Sequence, residues 1–173
     1  CVLCETVNGR KAGWSVALNA SGNTAVIGST ETYNVNKKGI VNVWRQISKD
    51  VGGVQEPTWT KIGSNIIGKT NKGRFGWSVD INAEGNIIAV GANEANFYSG
   101  GFCEGRVRVY SYNGNSWIQM GQDLATPDTY FEGGSGGSFG VSVSLDSSGN
   151  NLVVGDNQND ALGDGFSYVG LTK

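Results

Sequence analysis

Apolar and polar positions along this chain fall into short runs, and the runs recur. "TAVIG" at Thr24 to Gly28 returns as "IIAVG" at Ile87 to Gly91 and as "NLVVG" at Asn151 to Gly155. A nearly continuous apolar run of this length predicts a strand covered on both faces. Ahead of each lies an alternating run, Ser15 to Asn19 in the first copy, which predicts a strand covered on one face. The two are joined by Asn19-Ala-Ser-Gly-Asn23, Asn82-Ala-Glu-Gly-Asn86 or Asp146-Ser-Ser-Gly-Asn150, each with a glycine suited to a tight hairpin. A third run alternates, with Val107 and Val109 pointing one way and Arg106 and Arg108 the other; "GIVNVW" at Gly39 to Trp44 is its counterpart. The fourth, Thr58 to Ile62, carries Trp59 and is followed by Gly63, as Trp117 is followed by Gly121. No segment shows helical periodicity.

The copies are evenly spaced. Gly13 to Gly76 is 63 residues and Gly76 to Gly140 is 64. A period near 60 belongs to architectures in which one unit cannot bury its own apolar face and stacks on its neighbours. The expected fold is all-β: a β-propeller of four-stranded antiparallel blades in one segment, residues 1–173. Blade 1 is expected at about 13–63, blade 2 at about 76–121 and an incomplete blade 3 at about 139–173. Because propellers close with about four to eight blades, the chain reads as a fragment of a ring of roughly six to eight, completed by further blades or by further chains.

Composition narrows the chemistry. A formal net charge of −2 leaves no basic footprint, so nucleic acid is not an expected partner. The apolar runs fall far short of the roughly 20 residues that span a bilayer, so membrane insertion is not expected. The chain has no histidine, which removes the commonest general base and every His-dependent nucleophile. Its 15 acidic residues are scattered, and none recurs at matched sites of the three copies. Hence no catalytic residue, metal ligand or cofactor is expected. Cys1, Cys4 and Cys103 leave one thiol over in any intramolecular pairing, and the pairing stays open. Cys1-Val-Leu-Cys4 is half a zinc site without a second half, which leaves a disulfide to a further segment or buried small apolar side chains, with an oxidising compartment favoured.

Two loops that do not repeat attract attention, both joining a second strand to a third and so lying on one rim. "NEANFYSGGFCEG", Asn93 to Gly105, holds Phe97, Tyr98 and Phe102. "GDNQNDALGDG", Gly155 to Gly165, holds Asp156 and Asn157; its Asp156, Asp160 and Asp164 are four apart rather than alternating, so calcium-loop geometry is missing. Phe97, Tyr98, Phe102, Asp156 and Asn157 are the expected contacts for a protein or glycan ligand. Trp14, Trp77, Trp59 and Trp117 recur at matched positions, which favours packing between units over sugar stacking. Asn19-Ala-Ser21 fits the glycan-acceptor pattern in an exposed turn.

Phe75-Gly76-Trp77-Ser78-Val79, Phe139-Gly140-Val141-Ser142-Val143 and the closing Ala89-Val90-Gly91-Ala92 resemble the FG-GAP repeat of integrin-α-type propellers. The resemblance implies a seven-bladed extracellular ring whose ligands dock on one rim. It departs in one respect. Where that family often places a calcium loop, the three turns here are too short and too poor in carboxylates to supply the roughly six to eight oxygens calcium takes. The expected function is a non-enzymatic recognition or adhesion module, extracellular or at the cell surface. Two alternatives stand beside it: the scaffold of a propeller glycoside hydrolase or lyase, and a structural protein self-assembling through open strand edges.

Overall fold

A computed structural model describes residues 11–30, 38–71, 73–93, 105–125, 138–156 and 166–170. All regular structure among them is strand. β1 (Lys11–Leu18), β2 (Thr24–Thr30), β3 (Ile40–Val51) and β4 (Val54–Lys61) form one antiparallel sheet in chain order, and β5 (Ile66–Ile67) adds to β3. β6 (Phe75–Ile81), β7 (Ile87–Ala92), β8 (Arg106–Tyr112) and β9 (Trp117–Leu124) form a second. β10 (Ser142–Leu145), β11 (Asn151–Gly155) and β12 (Phe166–Gly170) form a third. No helix long and apolar enough to cross a membrane occurs among the described residues.

The continuous apolar runs do what a doubly covered strand requires. Every residue of β7 is buried, and successive residues feed different cores. Ile88, Val90 and Ala92 pack with Val26, Val41 and Val43 of the first sheet. Ile87 and Ala89 pack with Leu152 and Val154 of the third. The period-2 alternation of a strand therefore supplies two inter-sheet cores from one run of letters. Each fully buried Val or Ile contributes about 1.5–3 kcal/mol, so stacking, not the isolated sheet, holds each unit.

β3 and β4 run further than the sequence pattern suggests. They extend past the body of the sheet to a two-residue turn at Gly52-Gly53, both with positive φ, as a tight hairpin twisting with its strands demands. Their outer stretch is exposed, with Val51 facing Val54 across the ladder. Pro57 sits inside β4 opposite Ser48, tolerated because β4 is the outer strand and its missing N–H breaks no inner ladder.

Arg108 occupies a core position. It is 2% exposed, lies 5.5 Å over the Phe75 ring, and donates through Nε and Nη2 to Asp123 Oδ2, each at 2.8 Å. Asp123 Oδ1 accepts from Lys69 at 2.7 Å and from Gln119 at 2.9 Å. Partial burial pushes the Asp123 carboxyl up, but these donors outweigh it and hold the group well below the usual carboxylate range. Lys69 lies between the first and second sheets in the chain, so the pair also ties that linker to β9.

Candidate functional site

The repeated Gly-Trp-Ser is a bulge. In β1, Ala12 pairs with Ser29 and Ser15 with Gly28, so Gly13 and Trp14 are extra residues in the ladder. In β6, Phe75 pairs with Ala92 and Ser78 with Gly91, leaving Gly76 and Trp77 extra in the same way. Gly13 and Gly76 adopt φ of 83° and 84°, which a side chain would oppose. Bulges re-aim side chains, and here they bring Trp14 and Trp77 together, ring centroids 4.8 Å apart and tilted by 45°. Trp14 remains 40% exposed. Val141, after Gly140, holds the matching place in the third unit.

Arg74 completes this ledge. Its guanidinium lies 5.3 Å from the Trp77 ring centroid, and its carbonyl accepts the Trp77 N–H at 3.0 Å. Among the described residues it is the one non-glycine with positive φ, at 45°. A non-glycine residue there costs on the order of 1 kcal/mol, and such outliers gather where a side chain is being positioned. The result is a half-exposed double indole surface beside a cation. Such a surface can cover the apolar face of a flat or ring-shaped ligand while the guanidinium meets its oxygens.

The bulge is also an anchor. Ser15 Oγ donates to the Gly76 carbonyl at 2.8 Å, and Ser78 Oγ donates to the Gly140 carbonyl at 2.8 Å, so the first sheet clasps the bulge of the second and the second clasps the matching glycine of the third. The glycine opposite each serine is compelled by the fit: a Cβ at Gly28 would strike Ser15 Oγ and the Gly76 carbonyl, and one at Gly91 would strike Ser78 Oγ and the Gly140 carbonyl.

The three turns share a second device. Asn19 Oδ1 accepts the Thr24 N–H, Asn82 Oδ1 accepts those of Asn86 and Ile87, and Asp146 Oδ1 accepts those of Asn150 and Asn151. The leading oxygen of each turn, which the family resemblance would give to calcium, is thus spent on backbone. In Asp146, hydrogen bonds from Asn151, first of its backbone and then of its side chain, with Ser148 and Asn150 assisting, pull the carboxyl down to about 2. Asn19 is 5% exposed, and its amide nitrogen donates to Ser21 Oγ and to the Ala83 carbonyl of the next unit's turn. Expected as an exposed glycan acceptor, it is a buried inter-sheet tie, because the turn folds its amide inward.

Of the other expected site residues, Asp156 lies among those the structure describes. Asp156 is 1% exposed, and its Oδ1 accepts the Ser138 N–H at 2.8 Å, tying it to the approach to β10. Phe97, Tyr98, Phe102, Asn157, Cys1, Cys4 and Cys103 lie outside the described residues. Of the tryptophans, Trp117 donates Nε1–H to the Ile62 carbonyl at 3.2 Å and packs against the first inter-sheet core, while Trp59 is half-buried in β4. Asp80 Oδ2 accepts the Leu145 N–H and its Oδ1 the Ile81 N–H, so this carboxylate also serves the backbone. Sequence reasoning missed Arg74, Ser15 and Ser78: a serine recurs two places after each bulge glycine, but nothing local tells that it bonds the next sheet, and nothing marks Arg74.

No family of known proteins and no curated protein matches the chain. Among solved structures it is similar to the Pseudomonas aeruginosa periplasmic gluconolactonase PpgL, with 12% identity and a TM-score of 0.48. That match covers 91% of this chain and 44% of the gluconolactonase, so the chain spans under half of its length. Beside this finding the expectation of a non-enzymatic recognition or adhesion module is withdrawn, since the similar protein is a gluconolactonase, an enzyme. At this identity and score the likeness transfers no substrate and no catalytic residue to the chain.

Proposed function

We propose that this chain is a scaffold segment of a β-propeller, each sheet being one blade, in an enzyme that acts on carbohydrate. The observation that carries this reading is the Trp14–Trp77 ledge with Arg74 beside it. Sugar rings present an apolar C–H face and a rim of hydroxyls, and this ledge offers an indole surface next to a planar donor. Asp80, Asp123 and Asp146 are each committed to hydrogen bonds that hold the fold. The acid and base of the reaction are accordingly sought elsewhere than in these three carboxylates. The FG-GAP resemblance fits the same blade arrangement, with the turns serving as turns and not as calcium loops.

Tryptophan fluorescence tests the reading. Titration of the chain with neutral and acidic oligosaccharides should give a saturable change for at least one class. Trp14→Ala should abolish it with the far-UV circular dichroism unchanged, and Arg74→Gln should weaken it, more for acidic sugars. Flat titrations with every oligosaccharide would remove the basis for a carbohydrate substrate.

A further inference from the structure

Two arginines of the fold spend their donors within the chain. Arg45 donates through Nε to Thr24 Oγ1 at 3.1 Å and through Nη2 to the Gly85 carbonyl at 2.8 Å. Arg108 gives its fork to Asp123. Arg74 differs from both. Among the described residues nothing accepts a hydrogen bond from its guanidinium and no carboxylate pairs with it; its contact is the Trp77 ring, 5.3 Å away at the centroid. Contact with an indole uses the face of a guanidinium, while the N–H donors lie in its plane and stay available. The residue is also pinned. The Trp77 N–H donates to its carbonyl, the Gly73 N–H donates to Thr70 just ahead, and its φ of 45° is one that side chains rarely adopt. A basic residue stands at the same place in the first unit, where Lys11-Ala-Gly-Trp-Ser aligns with Arg74-Phe-Gly-Trp-Ser. Arg74 and Trp77 both belong to the middle unit, which has a described sheet on either side.

We propose that this ledge selects an acidic sugar, with Arg74 taking the carboxylate of a uronic acid whose ring lies on the indole surface. The inference rests on the carbohydrate reading above and names its substrate class. A half-buried guanidinium held in place without an anion is charge left for a ligand. A neutral hydroxyl rim would leave that charge uncompensated, whereas a carboxylate matches the planar fork with two parallel N–H···O bonds and cancels it. The carboxylate carbon of a uronate is the exocyclic carbon of the pyranose. It therefore projects from the rim of a ring whose C–H face covers an indole, where a neighbouring cation can meet it. A sulfate ester would bring charge without the planar match, and an aromatic acid would bring the plane without the hydroxyl rim. Both are competitors that binding measurements can separate.

Trisaccharides that differ only at C6 test this. Uronates of galacto, gluco, manno and gulo configuration are titrated beside their C6-alcohol counterparts by tryptophan fluorescence, with sulfated trigalactose and benzoate as further ligands. In at least one pair the uronate should bind about 10-fold tighter than the alcohol, and the preference should shrink as salt is raised. Arg74→Gly accepts the positive φ without strain, so its circular dichroism and melting should be retained while the uronate falls to the affinity of the alcohol. Arg74→Lys keeps the charge but not the fork and should retain only part of the preference. Equal affinity for acid and alcohol in every pair overturns the proposal and leaves the carbohydrate reading standing; flat titrations with every sugar remove both. A uronate preference that survives Arg74→Gly overturns it as well, as does sulfated trigalactose or benzoate binding as tightly as the best uronate.

Discussion

Val16 and Val79 are the same residue at the same place in the repeat, 63 positions apart, yet one is 69% exposed and the other 9%. Leu18 and Ile81 differ in the same way, 61% against 6%. Local structure cannot be the cause, since both strands follow a bulge of the same geometry and pair antiparallel with the next strand. The difference is the neighbour: β6 lies against the first sheet, whereas β1 has no described sheet in front of it. In a repeat architecture a letter's energetic weight is set by the unit beside it, so identical substitutions in the two strands should have different costs.

The largest contrast is expected from aspartate. Val79→Asp places a carboxylate in the core shared with Val26, Val41 and Ile88, at a cost on the order of 4 kcal/mol. Val16→Asp should change the stability of the dilute chain by about 0.5 kcal/mol or less. Urea unfolding monitored by circular dichroism measures both, and equal losses would show that β1 is as covered as β6.

Alanine at the clasping glycines sharpens the same comparison. At Gly91 a new Cβ meets the Gly140 carbonyl, which is backbone of the next unit and cannot yield without moving the third sheet. Gly91→Ala should cost about 3 kcal/mol. At Gly155 the nearest obstacle is Ser142 Oγ, a side chain free to rotate, so Gly155→Ala should cost less than about 1 kcal/mol. Comparable losses at both sites would mean that Gly155 is already closely covered.

These contrasts also show which features could be read from sequence. The strands that form the bodies of the sheets were legible because β2, β7 and β11 write continuous apolar runs, and doubly covered strands have few other ways to be written. The extension of β3 and β4 was not, since Lys49, Asp50 and Pro57 resemble a loop and only an outer strand tolerates that proline. Ser15 and Ser78 were silent because their partners lie 61 and 62 residues away, across a sheet boundary. The Asn19 triplet misled for a related reason: its letters specify an acceptor pattern, while the direction of the amide is fixed by Thr24 and by Ala83 in the neighbouring unit. Arg108 sits in a strand that alternates as expected, but its burial depends on Asp123, fifteen residues along on β9.

Titration separates the buried middle of the molecule from its exposed turns. Burial pushes the Tyr110 phenol up to about 12 from its ordinary 10.0, against the pull of Arg108 and with a smaller push from Asp123. The unfolded chain then loses this proton first, so stability should fall as pH rises from about 10 toward 12. Tyr110→Phe should flatten that slope; Trp44, at the corresponding place in the first sheet, cannot contribute to it. In acid the sign reverses. Asp123 and Asp146 are held below the ordinary 3.8, so their contributions are present above it and lost as pH falls below it. Asp146→Asn should remove part of the acid slope, and an unaltered slope would show that the exposed turn contributes nothing through its charge.

The smallest effect is the most discriminating. Ser78→Ala removes one hydrogen bond to the Gly140 carbonyl, a net loss of about 1 kcal/mol. Ser142→Ala removes a hydroxyl that, among the described residues, bonds no following sheet, so its melting temperature should match that of the unaltered chain. A Ser142→Ala chain that is less stable would mean that the third sheet already has its partner within the chain.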